Sequence, residues 1–396
     1  MYKVLVVDDS ALMRKIMCDI INSIQGFQVV DICSDGQSAY RRISEFGNFD
    51  VITMNVALAR MSGLEVMERL NDDGCDIPIV AVSSQVKEDR DMTVKALESG
   101  AVEVLVRPYR VSPADRETIR ADLVSILEAA VSKKKQPAAR TTVTPSRPSE
   151  PVRPRIRETE PARRQPDKAE TVKGGVDPRE LSKPLSKVTI PLKDIKKLSP
   201  SVVGGYDLVA IASSTGGPQA LRTCLPMLPK HLGVPVVIVQ HMPKGFTASL
   251  AERIDDVSNV RIKEAEEGEI LQNDTVYIAP GGWHLEVVSK SGGKLANHLS
   301  DAPAIGNLRP CADVMFHSIA KLPCKRVLCV VLTGMGSDGT EGISYLGAYK
   351  EIYCITQSAD TCVVYGMPKA ADQAGLSCES VPITQIANAI AKRLGV

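Results

Sequence analysis

Between residues 133 and 200 the chain contains no Phe, Trp, Tyr, Met or Cys, yet it holds 11 of the 25 prolines. Such a segment cannot bury enough apolar surface to offset the entropy of ordering it, so no single core can run through all 396 residues. The sequence therefore predicts two folded units, 1–132 and 201–396, joined by a flexible, partly extended linker at 133–200. That window holds 18 Lys and Arg against 8 Asp and Glu, whereas the whole chain carries +1, so the flanking units are acidic. We read the basic stretch as a solvated tether. The alternative is an arm that docks on an acidic surface, the flanking units included.

On either side of the window, short apolar runs alternate with amphipathic ones. Before it, 3–7, 27–32, 49–54, 77–83 and 102–106 read as strands. Helices lie between them, the first at 11–23 with Leu12, Ile16, Ile20 and Ile21 on one face, the last at 113–132. After it, strands at 208–212, 234–240, 276–279, 327–332 and 352–356 lead to a closing helix at 384–394. The expected fold class is α/β, two doubly wound parallel-sheet domains, the first flavodoxin-like and the second Rossmann-like.

Composition excludes several function classes. The balanced charge gives no argument for nucleic acid, and the second unit has no helix-turn-helix or basic recognition helix. No apolar stretch approaches the roughly 18 residues that span a bilayer, so no membrane insertion is expected. The start turns acidic at Asp8-Asp9, too early for a signal peptide, and a cytoplasmic location follows as the expectation. The ten cysteines include no CxxC pair and read as reduced core thiols.

Ligands of an open parallel sheet sit at the carboxyl ends of its strands. In the first unit those ends carry Asp8-Asp9, Asn55, Ser83-Ser84 and Arg107-Pro108. This pattern, with Val-Asp-Asp-Ser-Ala-Leu-Met-Arg, resembles the receiver domain of two-component response regulators over about residues 1–130. The resemblance implies an acidic pair that binds Mg²⁺, an Asp on strand three that accepts a phosphoryl group, and a Ser/Thr and a Lys that bind its oxygens. Here the acceptor position is Asn55, whose amide has no anionic oxygen to attack phosphorus. Arg107 replaces the lysine, and Val104 stands where receivers place a switching aromatic. A receiver fold without Asp-phosphate switching is expected. For Asp8 and Asp9 the sequence leaves open weak Mg²⁺ binding, with Asp9 as the ligand, or a solvated pair with no metal. Ser83 is either an oxygen ligand or an ordinary strand-end hydroxyl.

In the second unit the apolar run 208–212 is followed at once by Ser213-Ser214-Thr215-Gly216-Gly217-Pro218, with the proline opening a helix. A hydroxyl on such a turn is presented well, and glycines admit a substrate carbonyl to backbone N–H groups. The turn lacks both glycine patterns of nucleotide sites. A serine nucleophile needs a base, and His241 ends the next apolar strand. His284, on the Pro280-Gly281-Gly282-Trp283 turn, is its rival. Asp338 follows a third apolar run within Thr333-Gly334-Met335-Gly336-Ser337-Asp338-Gly339, a carboxylate placed to hold the base. Each residue also has a plain structural reading: Ser214 and Asp338 as helix caps, His241 as a core histidine.

Ser-Ser-Thr-Gly-Gly-Pro, Val-Gln-His241-Met-Pro-Lys-Gly-Phe-Thr and Leu-Thr-Gly-Met-Gly-Ser-Asp338-Gly resemble motifs of the chemotaxis protein-glutamate methylesterase (CheB) family. So do Tyr277–Gly282 and Cys362–Pro368, and with the receiver the likeness spans the chain outside the linker. One departure is Ala212-Ser213, where the family has Gly-Ala. The resemblance implies that Ser214, His241 and Asp338 form a catalytic triad with Thr215 and Met335 as oxyanion-hole candidates. It implies substrates in glutamyl methyl esters on methyl-accepting chemotaxis receptors, and receptor glutamines. No cofactor is implied for catalysis, and a chemotaxis histidine kinase or coupling protein is the further partner. The competing reading is a non-enzymatic signalling scaffold built on the degenerate receiver.

Overall fold

The computed structural model describes residues 1–84, 87–107, 113–134 and 190–396. In the first unit β1 (Tyr2–Val7), β2 (Phe27–Cys33), β3 (Val51–Asn55), β4 (Ile79–Ser84) and β5 (Glu103–Arg107) form one parallel sheet. Its order is β2-β1-β3-β4-β5, the flavodoxin-like winding that was expected. The helices α1 (Ala11–Asn22), α2 (Gly36–Phe46), α3 (Gly63–Asp72), α4 (Lys87–Glu98) and α5 (Pro113–Lys134) alternate with the strands. Side-chain caps start three of them. Ser10 accepts from the Met13 N–H and Asp35 from the Ser38 N–H, while Ser62 and Glu65 form a reciprocal capping box.

The face predicted for α1 needs one correction. Met13, Ile16, Met17, Ile20 and Ile21 are buried, whereas Leu12 is 67% exposed. Each residue advances a helix by about 100°, so the buried residues 13, 16, 17, 20 and 21 span an arc of about 140° centred between Met13 and Met17, and position 12 falls about 110° from that centre, toward solvent.

The second unit is a seven-stranded parallel sheet in the order β14-β13-β12-β6-β7-β9-β8. The five predicted strands are β6 (Leu208–Ser213), β7 (Val236–Gln240), β9 (Thr275–Ile278), β12 (Arg326–Val331) and β13 (Glu351–Gln357). The edge strands β8 (Arg261–Glu264) and β14 (Glu379–Val381) extend the sheet. β10 (His284–Ser289) and β11 (Leu295–Ser300) make a separate antiparallel hairpin. Helices α6 (Gly217–Cys224), α7 (Phe246–Asp255), α8 (Ala312–Ala320), α9 (Thr340–Tyr349), α10 (Met367–Gln373) and α11 (Ile383–Leu394) cover the sheet.

Most of the stretch read as a linker lies outside the described residues. Its last part, 190–200, is not free chain. Ile195 is buried in the core beside Leu346 and Ile352, and Lys197 Nζ donates to the carbonyls of Gly375 (2.7 Å) and Ser377 (3.0 Å). The second unit thus takes in chain upstream of 201.

β6 is the pivot of this sheet. The chain leaves it toward β7 on one side and returns to β12 on the other, so a crevice opens at the carboxyl ends of these three strands.

Candidate active site

Backbone pairing brings three predicted residues to that crevice. Ser213 pairs with Gln240 across β6 and β7, so Ser214 and His241 are the next residues beyond two paired strand ends. The N–H of His241 donates to the Ser213 carbonyl at 3.1 Å, and that of Ser214 to the Thr333 carbonyl at 3.0 Å. Asp338 arrives from the loop after β12.

The turn carrying Ser214 is built by close approach. Gly217 N–H closes it on the Ser214 carbonyl at 2.7 Å, and Gly216 takes the left-handed conformation at φ 76°. A Cβ at Gly217 would stand 1.9 Å from Gln240 Oε1, so glycine is required. Gln240 Nε2 donates to the carbonyls of Ser214 and His241, each at 3.0 Å, fixing both strand ends with one buried amide. Ser213, the departure noted above, donates its hydroxyl to Gln240 Oε1 at 2.7 Å and completes this clamp. Thr333 Oγ1 donates to the Thr215 carbonyl at 3.0 Å, an anchoring role the sequence reading missed.

Ser214 does not cap the helix that follows. The cap position is Gly216, with no side-chain hydrogen bond, and Ser214 Oγ makes no hydrogen bond among the described residues. Its neighbours' backbone N–H groups, those of Thr215 and Met335, likewise donate to no acceptor among the described residues.

Asp338 and His241 meet directly. His241 Nε2 lies 2.7 Å from Asp338 Oδ2. Asp338 does cap a helix, but α8 and not the one after it. Its Oδ2 accepts from Ala312 N–H at 2.6 Å, and its Oδ1 from Asp313 N–H (3.0 Å), Gly339 N–H (3.0 Å) and Cys311 Sγ (3.1 Å). Burial works against ionisation here. The His241 hydrogen bond and charge and the α8 N–H groups nevertheless hold the carboxyl well below the usual carboxylate range. Asp313, behind it, accepts from the N–H groups of Gly339 (2.9 Å) and Gly342 (2.6 Å). Burial and the adjacent Asp338 charge push the Asp313 carboxyl up. Cys311, Asp313 and Asp338 cluster closely, and with Cys311 donating its thiol to Asp338 and both carboxyls accepting backbone N–H groups the trio forms a hydrogen-bonded knot.

The rival base is elsewhere. His284 is not on a turn but opens β10, 1% exposed, with Nε2 3.2 Å from the Pro303 carbonyl. Burial lowers its pKa, and among the described residues no carboxylate hydrogen-bonds its ring.

The receiver pocket gathers four of its predicted groups into two pairs. Asn55 Nδ2 donates to Asp9 Oδ1 at 3.1 Å, and Arg107 Nη2 stands 3.5 Å from Asp8 Oδ2. Burial raises the Asp8 pKa, against the Ser10 N–H and Arg107, which lower it. Ser83 stays apart, accepting from Thr93 Oγ1 at 2.7 Å and donating to the Ser84 carbonyl. One carboxylate is capped by an amide N–H and the other faces a guanidinium.

The receiver reaches the crevice through α4 and β5, contacts no strand pattern announces. Glu98 Oε1 accepts from Arg222 of α6 at 3.1 Å, and Oε2 from Arg253 Nε of α7 at 2.9 Å. Ser249 Oγ donates to Asp91 at 2.6 Å, and Thr215 Oγ1 donates to Glu103 Oε2 at 2.6 Å. Val363 packs on the receiver core.

Comparison with known proteins agrees with this architecture. Residues 209–390 match the CheB methylesterase family, and residues 4–114 match the response regulator receiver domain. The chain is 38% identical over 395 residues to a protein-glutamate methylesterase/protein-glutamine glutaminase of Bacillus subtilis (strain 168), covering 98% of each chain. A protein of the same name from Geobacillus kaustophilus is 36% identical over 394 residues, 99% of each. The Thermotoga maritima CheB methylesterase catalytic domain, a crystal structure, is 41% identical, with 48% of this chain and 98% of that one covered at a TM-score of 0.45.

Proposed function

The chain belongs to the CheB methylesterase family, and from that premise we propose that it hydrolyses glutamate γ-methyl esters on methyl-accepting chemotaxis receptors and deamidates receptor glutamines, with Ser214, His241 and Asp338 as the catalytic triad. The observation that carries the assignment is the 2.7 Å His241–Asp338 bond at the carboxyl edge beside Ser214. An ionised Asp338 keeps the His241 proton on Nε2 and leaves the Nδ1 lone pair to take a proton from Ser214. Ser214 Oγ then attacks the γ-carbonyl. The tetrahedral oxyanion faces the backbone N–H groups of Thr215 and Met335, which hold no other acceptor among the described residues. His241 returns its proton to the leaving methoxide oxygen, or, when the substrate is glutamine, to the amide nitrogen, which departs as ammonia. Water, activated by the same imidazole, releases glutamate from the acyl-enzyme. No cofactor enters this chemistry.

The receiver is read as a cover that phosphoryl transfer does not control, since Asn55 offers no nucleophilic oxygen and Arg107 already lies beside Asp8. Control passes instead through its docking face, with a chemotaxis kinase or coupling protein in the cytoplasm as partner. The test is methanol release from methylated receptor membranes. Ser214→Ala is expected to cost at least about a thousandfold, and His284→Gln far less. Near-wild-type release by Ser214→Ala would reject the triad. A phosphoaspartate mapped to residues 1–130 after acyl-phosphate treatment would reject the reading of the receiver.

A further inference from the structure

The receiver does more than lie over the crevice: it puts a glutamate into it. Glu103, the first residue of β5, crosses to the turn that carries Ser214, and its Oε2 accepts from Thr215 Oγ1 at 2.6 Å. Its other oxygen accepts from its own neighbour, the Val104 N–H, at 3.1 Å. Burial raises its pKa, the Thr215 hydroxyl and Val104 N–H oppose that rise, and a positive charge on His241 lies near enough to oppose it too. The carboxylate is thus bonded to the residue next to the proposed nucleophile and lies within the field of the proposed base. The other two receiver acids at this interface, Asp91 and Glu98, bond to Ser249, Arg222 and Arg253, on helices α6 and α7 beyond the turn. Of the three, only Glu103 enters the crevice.

We propose that Thr215 Oγ1 is the donor that positions the receptor's γ-carboxyl group, and that Glu103 occupies this subsite in the covered state as an internal copy of the reaction's own product. This rests on the triad reading above and goes beyond it. The chemistry matches on three counts. A glutamate side chain is what hydrolysis leaves behind, so a site able to receive the substrate's glutamyl group and release its acid holds Glu103 in the same way. A hydroxyl suits the whole course, since it donates to the oxygen of an ester, an amide or a carboxylate alike. The Thr215 side chain is also free for this task. Its carbonyl is held by Thr333 Oγ1, so its backbone is fixed, while its hydroxyl bonds among the described residues to Glu103 alone. Thr215 is thereby a positioning and specificity residue, distinct from its backbone N–H, which serves the oxyanion.

The test uses the full chain and small carboxylates as probes. Glu103→Ala removes a side chain whose functional end is propionate-sized. Methanol release from receptor membranes is expected to rise about tenfold or more, the equivalent of one charge-assisted hydrogen bond. Propionate, and not chloride at equal ionic strength, is then expected to inhibit the variant competitively while leaving the parent unaffected. Thr215→Val in the Glu103→Ala background is expected to raise KM more than it lowers kcat and to abolish propionate inhibition. Thr215→Ser is expected to keep both near the Glu103→Ala values. Glu103→Gln preserves shape if the alanine variant folds poorly, and is expected to activate because a neutral amide is the weaker acceptor. An unchanged rate in both Glu103 variants overturns the proposal. So does activation without propionate inhibition, or equal inhibition with and without the Thr215 hydroxyl. Methanol release that survives Ser214→Ala in the activated background rejects the triad instead, which keeps the two failures apart.

Discussion

Replacing Asp338 with Asn tests whether the carboxylate orients a base or only caps a helix. Each oxygen accepts from backbone N–H groups, Oδ2 from Ala312 and Oδ1 from Asp313 and Gly339. An amide nitrogen at either position therefore faces a donor it cannot satisfy. If the nitrogen takes the Oδ2 place, it donates to His241 Nε2 and drives the ring proton to Nδ1, removing the lone pair that takes the Ser214 proton. If it takes the Oδ1 place, the tautomer survives but the charge that stabilises imidazolium is gone. In the serine-protease template the equivalent change costs about 10⁴ in kcat, close to 5.5 kcal/mol of transition-state stabilisation. We expect a loss of about 10³ to 10⁴ in methanol release. The stranded donor adds about 1–3 kcal/mol of destabilisation, read as a lower Tm. The pH dependence has a definite sign. The Asp338 carboxyl is held below its unfolded pKa, so its contribution is complete above the usual carboxylate range and is lost as pH falls through the depressed folded value. The stability gap between parent and variant should therefore narrow on acidification. A variant with kcat within tenfold of the parent, whatever its Tm, would show that Asp338 merely caps α8.

Two further changes probe the scaffold. Gly217→Ala places a Cβ 1.9 Å from Gln240 Oε1, which must break the Ser213–Gln240–Ser214 clamp; a loss of about 1–3 kcal/mol in urea unfolding and a fall in activity are expected, and no change in either would refute the close-approach argument. His317 stacks on Tyr345 at 4.1 Å, and burial, aided by Lys321, pushes its pKa down to about 4 from 6.5. The folded state binds fewer protons there than the unfolded one, so stability falls as pH drops from 6.5 toward 4, on the order of 3 kcal/mol in full. His317→Gln should flatten that slope in urea unfolding at pH 7 and pH 5, and an unchanged slope would refute the assignment.

How much of this was legible in the sequence follows from where each signal is stored. Strands of a parallel sheet covered on both faces are continuous apolar runs, and all ten predicted strands are present, including 208–212 and 327–332 as β6 and β12. Strand ends then locate Ser214, His241 and Asp338 on one edge, because an all-parallel sheet points every carboxyl end the same way. The edge strand β8 has no such run: in Arg261–Glu264 only Ile262 is buried, and charges occupy the rest. The β10–β11 hairpin was missed because Glu286, His298 and Asn297 interrupt its apolar residues, which also left His284 assigned to a turn. The receiver's grip could not be read at all. Glu98 and Glu103 find their partners 112 to 155 residues away, across the linker, and periodicity carries no information about such pairs. The sequence nevertheless marked the same surface from the other direction, by what the receiver lacks. Asn55, Arg107 and Val104 depart from the residues of a phosphoryl switch, whereas Glu98 bonds two arginines and Glu103 a hydroxyl at the proposed nucleophile's side. A departure in the pocket beside bonded acids at the interface is what the proposed control through the docking face expects.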